Sequence, residues 1–160
     1  MIKPKPESLR GLIHAFIRSF GLLDQTRTPC GMPIAVSDAH ALMEIMKNPG
    51  MDQMELSRIL GLSKSATSRL LLRLVKRGQV KRVKNRDDGR AHNLSLTVKG
   101  KRQAELINRE SLKTIGAIIS GLSEDATQQL MQSLPLLIKA LPESRRNMNS
   151  EFLKIKLDDF

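Results

Sequence analysis

The chain has 160 residues, room for one domain with helical extensions, and 40% of them are hydrophobic, enough for a real core. Tyr and Trp are absent and only four Phe occur, so the core must be built from Leu, Ile, Met, Val and Ala, which suit helix-on-helix packing. A formal net charge of +11 favours a polyanionic partner, no apolar run approaches the ~18 residues needed to span a bilayer, and the lone Cys30 excludes an internal disulfide.

The opening MIKPKPESLRG lacks the apolar stretch and cleavage site of a signal peptide. A reducing cytoplasm is the expected compartment. The charge is localised. Between Arg58 and Arg102 there are 14 basic residues and two acidic ones, whereas the remainder carries 13 basic and 14 acidic residues. A single charged run reads as a solvated face. A whole basic subregion that also carries apolar periodicity reads better as a polyanion-binding unit.

In chain order, Leu9, Leu12, Ile13, Phe16, Ile17 and Phe20 recur at helical spacing and predict a first helix over about 8–24, capped by Ser8. Residues 26–33 carry two prolines and a glycine and read as a loop. Ser37-Asp38 opens a second helix with Leu42, Ile45 and Met46 on one face, stopped by Asn48-Pro49-Gly50. Asp52 caps a third helix that Gly61 breaks; Ser63 caps a fourth whose buried face is Thr67, Leu70, Leu71 and Leu74, ended by Gly78.

Beyond Gly78 the period changes. Val80–Val83 and Leu94–Leu96 read as two short strands joined by the turn-rich, basic KNRDDGRAHN, a wing. Thr97 caps a long fifth helix, and Ser123 a sixth with Leu130, Leu134, Leu137, Ile138 and Leu141 as its stripe, in which Pro135 should kink or split the helix. The tail after Pro142 has no assigned role.

The central object is MELSRILGLSKSATSRLLLRLVKRG: two helices about a tight turn at Gly61, with small Ser57 where they approach. The fourth helix leaves Ser63, Lys64, Ser65, Ser68, Arg69, Arg73 and Lys76 away from its apolar face, none of them acidic. Such side chains reach phosphates and base edges when a helix lies in the major groove, and Arg69 is the expected base reader. The wing adds Lys84, Asn85, Arg86, Asp88, Arg90 and His92. An arginine at such a tip can enter a narrow A·T-rich minor groove. Asp88 either orients Arg90 or simply shapes the turn.

The run from Glu55 to Gly100 resembles the MarR family of bacterial regulators. The likeness rests on ELSRILGLSKSATSRLLLRL, on Arg82 followed by Asp88-Gly89-Arg90 in the family's D-x-R spacing, and on LSLTVKG at the entry to the fifth helix. Departures are Gln79 at a usual leucine, Ala66 and Thr67 at usual threonine and valine, and Val75 at a common acidic position.

The resemblance implies a mainly α fold with a small β-ribbon: a winged helix-turn-helix over 37–97, flanked by dimerisation helices in 1–36 and 98–160. It also implies a homodimer on a pseudo-palindromic operator, repression as the commoner outcome, and a small effector, phenolic or otherwise anionic, bound between the two regions. The terminal apolar stripes, too long for one small core to cover, point to the same dimer. His14, Arg18, His40 and Met43 are the expected pocket residues.

Cys30 is either an oxidant sensor or an inert thiol, and no tyrosine is present to steady it as in the family's sensing branch. No close histidine spacing suggests a metal, and no nucleophile motif, phosphate loop or carboxylate pair suggests an enzyme or a cofactor. The competing readings are a winged-helix protein-interaction module and a nonspecific nucleic-acid binder.

Overall fold

The computed structural model describes residues 5–84 and 92–141. Their order is α1 (Pro6–Ser19), α2 (Val36–Lys47), α3 (Gln53–Leu60), α4 (Lys64–Lys76), β1 (Val80–Lys84), β2 (His92–Leu96), α5 (Val98–Ser120) and α6 (Glu124–Ala140). The fold is mainly helical with one two-stranded antiparallel sheet, as the sequence predicts.

Local chemistry explains most boundaries. Asp52 and Glu55 form a reciprocal capping box: the Met54 and Glu55 amides donate to Asp52 Oδ1 at 2.6 and 2.8 Å, and the Asp52 amide donates to Glu55 Oε2 at 2.9 Å. Gly61 ends α3 at φ 65°, where a side chain would be strained. The Ser57 hydroxyl donates to the Leu62 carbonyl across that turn at 2.6 Å. Ser63 then caps α4, accepting from the Ala66 amide. At the far end the Gln79 amide donates to the Leu74 carbonyl and the Gly78 amide to Val75, a Schellman closure around left-handed Gly78.

Three boundaries differ from the expectation. α1 begins at Pro6 and ends at Ser19, so Ser8 lies inside it; Pro6 suits the first helical turn because its missing N–H would be unpaired there anyway. α2 begins at Val36 after an uncapped Ala35, and Asp38 turns inward instead of opening the helix. α6 does not split at Pro135 but continues as one helix to Ala140. The proline removes one backbone donor, while residues on both sides keep the helical pattern.

The core lies where α2, α3, α4 and α5 meet the sheet. Leu42, Ile45, Leu56, Leu70, Leu71, Leu74 and Leu94 are its largest fully buried apolar side chains, joined by Ala104 and Ile107 of α5. Thr67 completes the buried face of α4, its hydroxyl donating to the Ser63 carbonyl. The strands pair from Val80 with Leu96 to Lys84 with His92, and the Gly50-Met51 segment adds two backbone hydrogen bonds to Leu94. Gln79, at the position where the resemblance expects leucine, is buried, and its Oε1 meets no donor among the described residues.

The two ends of the chain pack differently. Neither α1 nor α6 has a buried residue. Their apolar residues, with those of the second half of α5, stand exposed in a single chain. No helix among the described residues is long and apolar enough to cross a membrane.

Candidate nucleic-acid interface

Helical periodicity sorts the residues of α4. With Thr67, Leu70, Leu71 and Leu74 buried, Ser65, Arg69, Leu72 and Lys76 fall on the opposite side, and all four are exposed. The Arg69 guanidinium has no partner among the described residues. Ser65 exchanges a hydrogen bond with the capping Ser63 at 3.1 Å, and Lys64 is exposed beside them. Ser68 is half-buried at the edge of the stripe. The helix therefore offers a long cation, a second cation two turns on and small hydroxyls near its N-terminus, where backbone N–H groups favour phosphate.

Arg73 sits elsewhere. Its Nη2 donates to Asp38 Oδ1 at 2.6 Å, and Arg77 Nη1 donates to Asp38 Oδ2 at 3.0 Å. Asp38 is 1% exposed and engages one arginine on each oxygen. Sequence reasoning placed Arg73 among the groove contacts and left Asp38 as a helix opener. The available signal was phase: Asp38, Leu42 and Ile45 follow an i, i+4, i+7 pattern, which puts the carboxylate on the buried face.

Of the wing, β1 and β2 are described and exposed His92 lies at the end of β2, paired with Lys84. Asn85, Arg86, Asp88 and Arg90 lie outside the described residues. Arg82 on β1 donates to Gln53 Oε1 at 3.4 Å, and Gln53 Nε2 reaches the Lys64 carbonyl at 3.5 Å, a loose bridge from wing to helix-turn-helix.

A cavity of about 210 Å³ lies between α2, α5 and the chain entering α2. His40 and Met43 line it, with Phe20, Cys30, Ile107 and Ser111 among their neighbours. His14 and Arg18 do not line it; they lie exposed on α1. Cys30 Sγ is 3.0 Å from the Thr28 hydroxyl, which also accepts from the Met32 amide. Among the described residues no group of three His, Cys, Asp or Glu is arranged to hold a metal.

His40 borders the cavity and is itself exposed to solvent. Desolvation lowers its pKa below the ordinary 6.5; Glu44 opposes that shift and Lys47 adds to it. The unfolded chain therefore binds this proton more readily, so stability is intact above pH 6.5 and erodes as pH falls below it. An NMR titration should place the His40 midpoint below 6.5; a midpoint at or above that value would mean that desolvation does not outweigh Glu44 there.

A family model described as "MarR family" matches residues 31–91. Among solved structures, FabT of Streptococcus pneumoniae in complex with DNA superposes with a TM-score of 0.73 at 21% identity, over 84% of this chain and 96% of that one. A MarR protein of Peptoclostridium difficile gives 0.68 at 22%, over 98% and 97%. The PcaV transcriptional regulator of Streptomyces coelicolor with its natural ligand gives 0.63 at 21%, over 88% and 99%. No curated protein sequence matches. Residues 31–91 thus match the model of the MarR family, and with the helices around them arranged as in these structures the chain has the winged helix-turn-helix fold of MarR regulators.

Proposed function

We propose that this chain is a sequence-specific DNA-binding repressor that works as a homodimer on a pseudo-palindromic operator, in the cytoplasm at the nucleoid. The observation that carries the reading is the outward face of α4: exposed Ser65, Arg69 and Lys76 on a helix whose other side is locked into the core, with no acidic residue along its length. Ser63, Lys64 and Ser68 flank that stripe, and the wing residues Lys84, Asn85, Arg86, Asp88, Arg90 and His92 supply the second contact. Segments 1–36 and 98–160 form the dimer. A two-fold axis through them would set two α4 helices about 34 Å apart, on successive major grooves.

Selection from random duplex DNA at two salt concentrations tests this. Enrichment of a pseudo-palindrome with half-sites one turn apart supports the dimeric reader. Binding without enrichment that collapses with salt means that only phosphates are read, and the chain is then a nonspecific or protein-docking module. On the selected site Arg69→Ala should cost about 1–3 kcal/mol and relax preference at one position. Equal losses on selected and scrambled DNA would remove Arg69 from base reading.

The effector site in this reading is the cavity beside His40 and Met43. The superposed ligand complex of PcaV supports a ligand-responsive fold. The lining contains no lysine or arginine, and desolvation of His40 favours its neutral form. An anion there would lose its hydration without gaining a counter-charge. A neutral apolar molecule with one hydrogen-bonding group, such as a phenol, fits better than a carboxylate.

A further inference from the structure

We infer that Asp38 is the positioning residue through which an occupant of the cavity acts on α4. The inference rests on the regulator reading above and supplies its route of regulation.

The geometry of α2 carries it. Val36, Ala39, His40 and Met43 face the cavity. Asp38 lies on the other side of the same helix, in phase with the buried Leu42 and Ile45. One helix thickness therefore separates the occupant from the only buried carboxylate on α2 that engages α4. An interior packed to crystal-like density passes a displacement of α2 on to its neighbours instead of absorbing it.

The grip on α4 is directional. Arg73 and Arg77 stand four residues apart, on one side of the helix, and each takes a different oxygen of the same carboxylate. Rotating α4 about its axis, or sliding it by a fraction of a turn, cannot preserve both bonds. The same end of α4 is tied to α5: Lys99 Nζ donates to the Arg77 carbonyl at 2.8 Å, and the Thr97 hydroxyl to the Gly78 carbonyl at 2.6 Å. Both helices that wall the cavity thus hold the C-terminal end of α4, while Ser65 and Arg69 project from its other half. A shift of α2 against α5 turns that half.

Arg73 and Arg77 are half-exposed, so an apolar filler in place of Asp38 would leave them free to reach solvent. The carboxylate matters here as a positional lock more than as a source of stability.

Cys30 lines the cavity and is the chain's single thiol, so N-ethylmaleimide can fill the space in the full-length protein; Ser111→Phe fills it from α5 without chemistry. Affinity for the selected DNA site is measured for the parent chain and for Asp38→Asn, each with and without either filler. Filling should weaken the parent's binding by about tenfold, within the usual range of allosteric coupling, and change Asp38→Asn by less than about threefold. Equal fold-losses in both chains would overturn the inference, and so would fillers without effect on the parent. If Asp38→Asn fails to fold, Arg73→Gln with Arg77→Gln cuts the same link from the exposed side. A parent chain that selects no DNA site at all would instead remove the regulator reading.

Discussion

Alanine at position 100 is expected to cost about 4 kcal/mol or more, a large share of the stability of a marginally stable domain. Gly100 is the third residue of α5, and a Cβ there would be driven into the Gln79 carbonyl oxygen, with the carbonyl carbon 2.8 Å away. Neither side can yield. The Gln79 carbonyl accepts from the Thr97 amide at 3.0 Å, and Thr97 caps α5 by accepting from Gly100 itself at 3.1 Å. The helix start and the turn after α4 are therefore one interlocked unit, and separating them would break the ties that hold α4 in place. Urea unfolding followed by circular dichroism checks this. A Gly100→Ala chain of parental stability would mean that α5 does not approach the turn so closely.

If the proposed dimer forms through these helices, charge on the exposed face of α6 is expected to abolish it and lower affinity for the selected DNA site by about 10²–10⁴-fold, the scale lost when two linked sites become one. Leu134 and Ile138 stand one helical turn apart and are 44% and 38% exposed in the single chain. They lie on a helix with no buried residue. Leu134→Asp with Ile138→Asp therefore leaves the winged core untouched and desolvates two carboxylates wherever a partner covers that face. Sedimentation should show a monomer whose core stays folded, and titration of the selected site should show the loss. A variant that stays dimeric at full affinity would place the interface elsewhere, on α1 or the second half of α5.

Both outcomes bear on the neighbouring readings. A monomer that still recognises a half-site through Arg69 would separate base reading from dimerisation. It would leave the cavity and Asp38 as properties of one chain, since every residue of that link belongs to a single copy.

What the sequence by itself determined was local and chemical. Asp52, Ser63 and Thr97 announced three helix starts, because a short oxygen-bearing side chain satisfies amides that a helix start leaves unpaired. Gly61 and Gly78 marked turns that need positive φ. The stripe of Thr67, Leu70, Leu71 and Leu74 fixed which side of α4 is buried, and so exposed Arg69. Tertiary structure decided the rest. Whether Asp38 opened a helix or held two arginines 35 and 39 residues away depended on where α4 crosses α2, which no local period encodes. The same holds for the near contact of Gly100 with Gln79 and for the cavity, which gathers His40 and Met43 but leaves His14 and Arg18 outside. Capping and turns are settled within a few residues by hydrogen-bond chemistry, whereas ion pairs, close approaches and cavities depend on distances set only when all the helices pack.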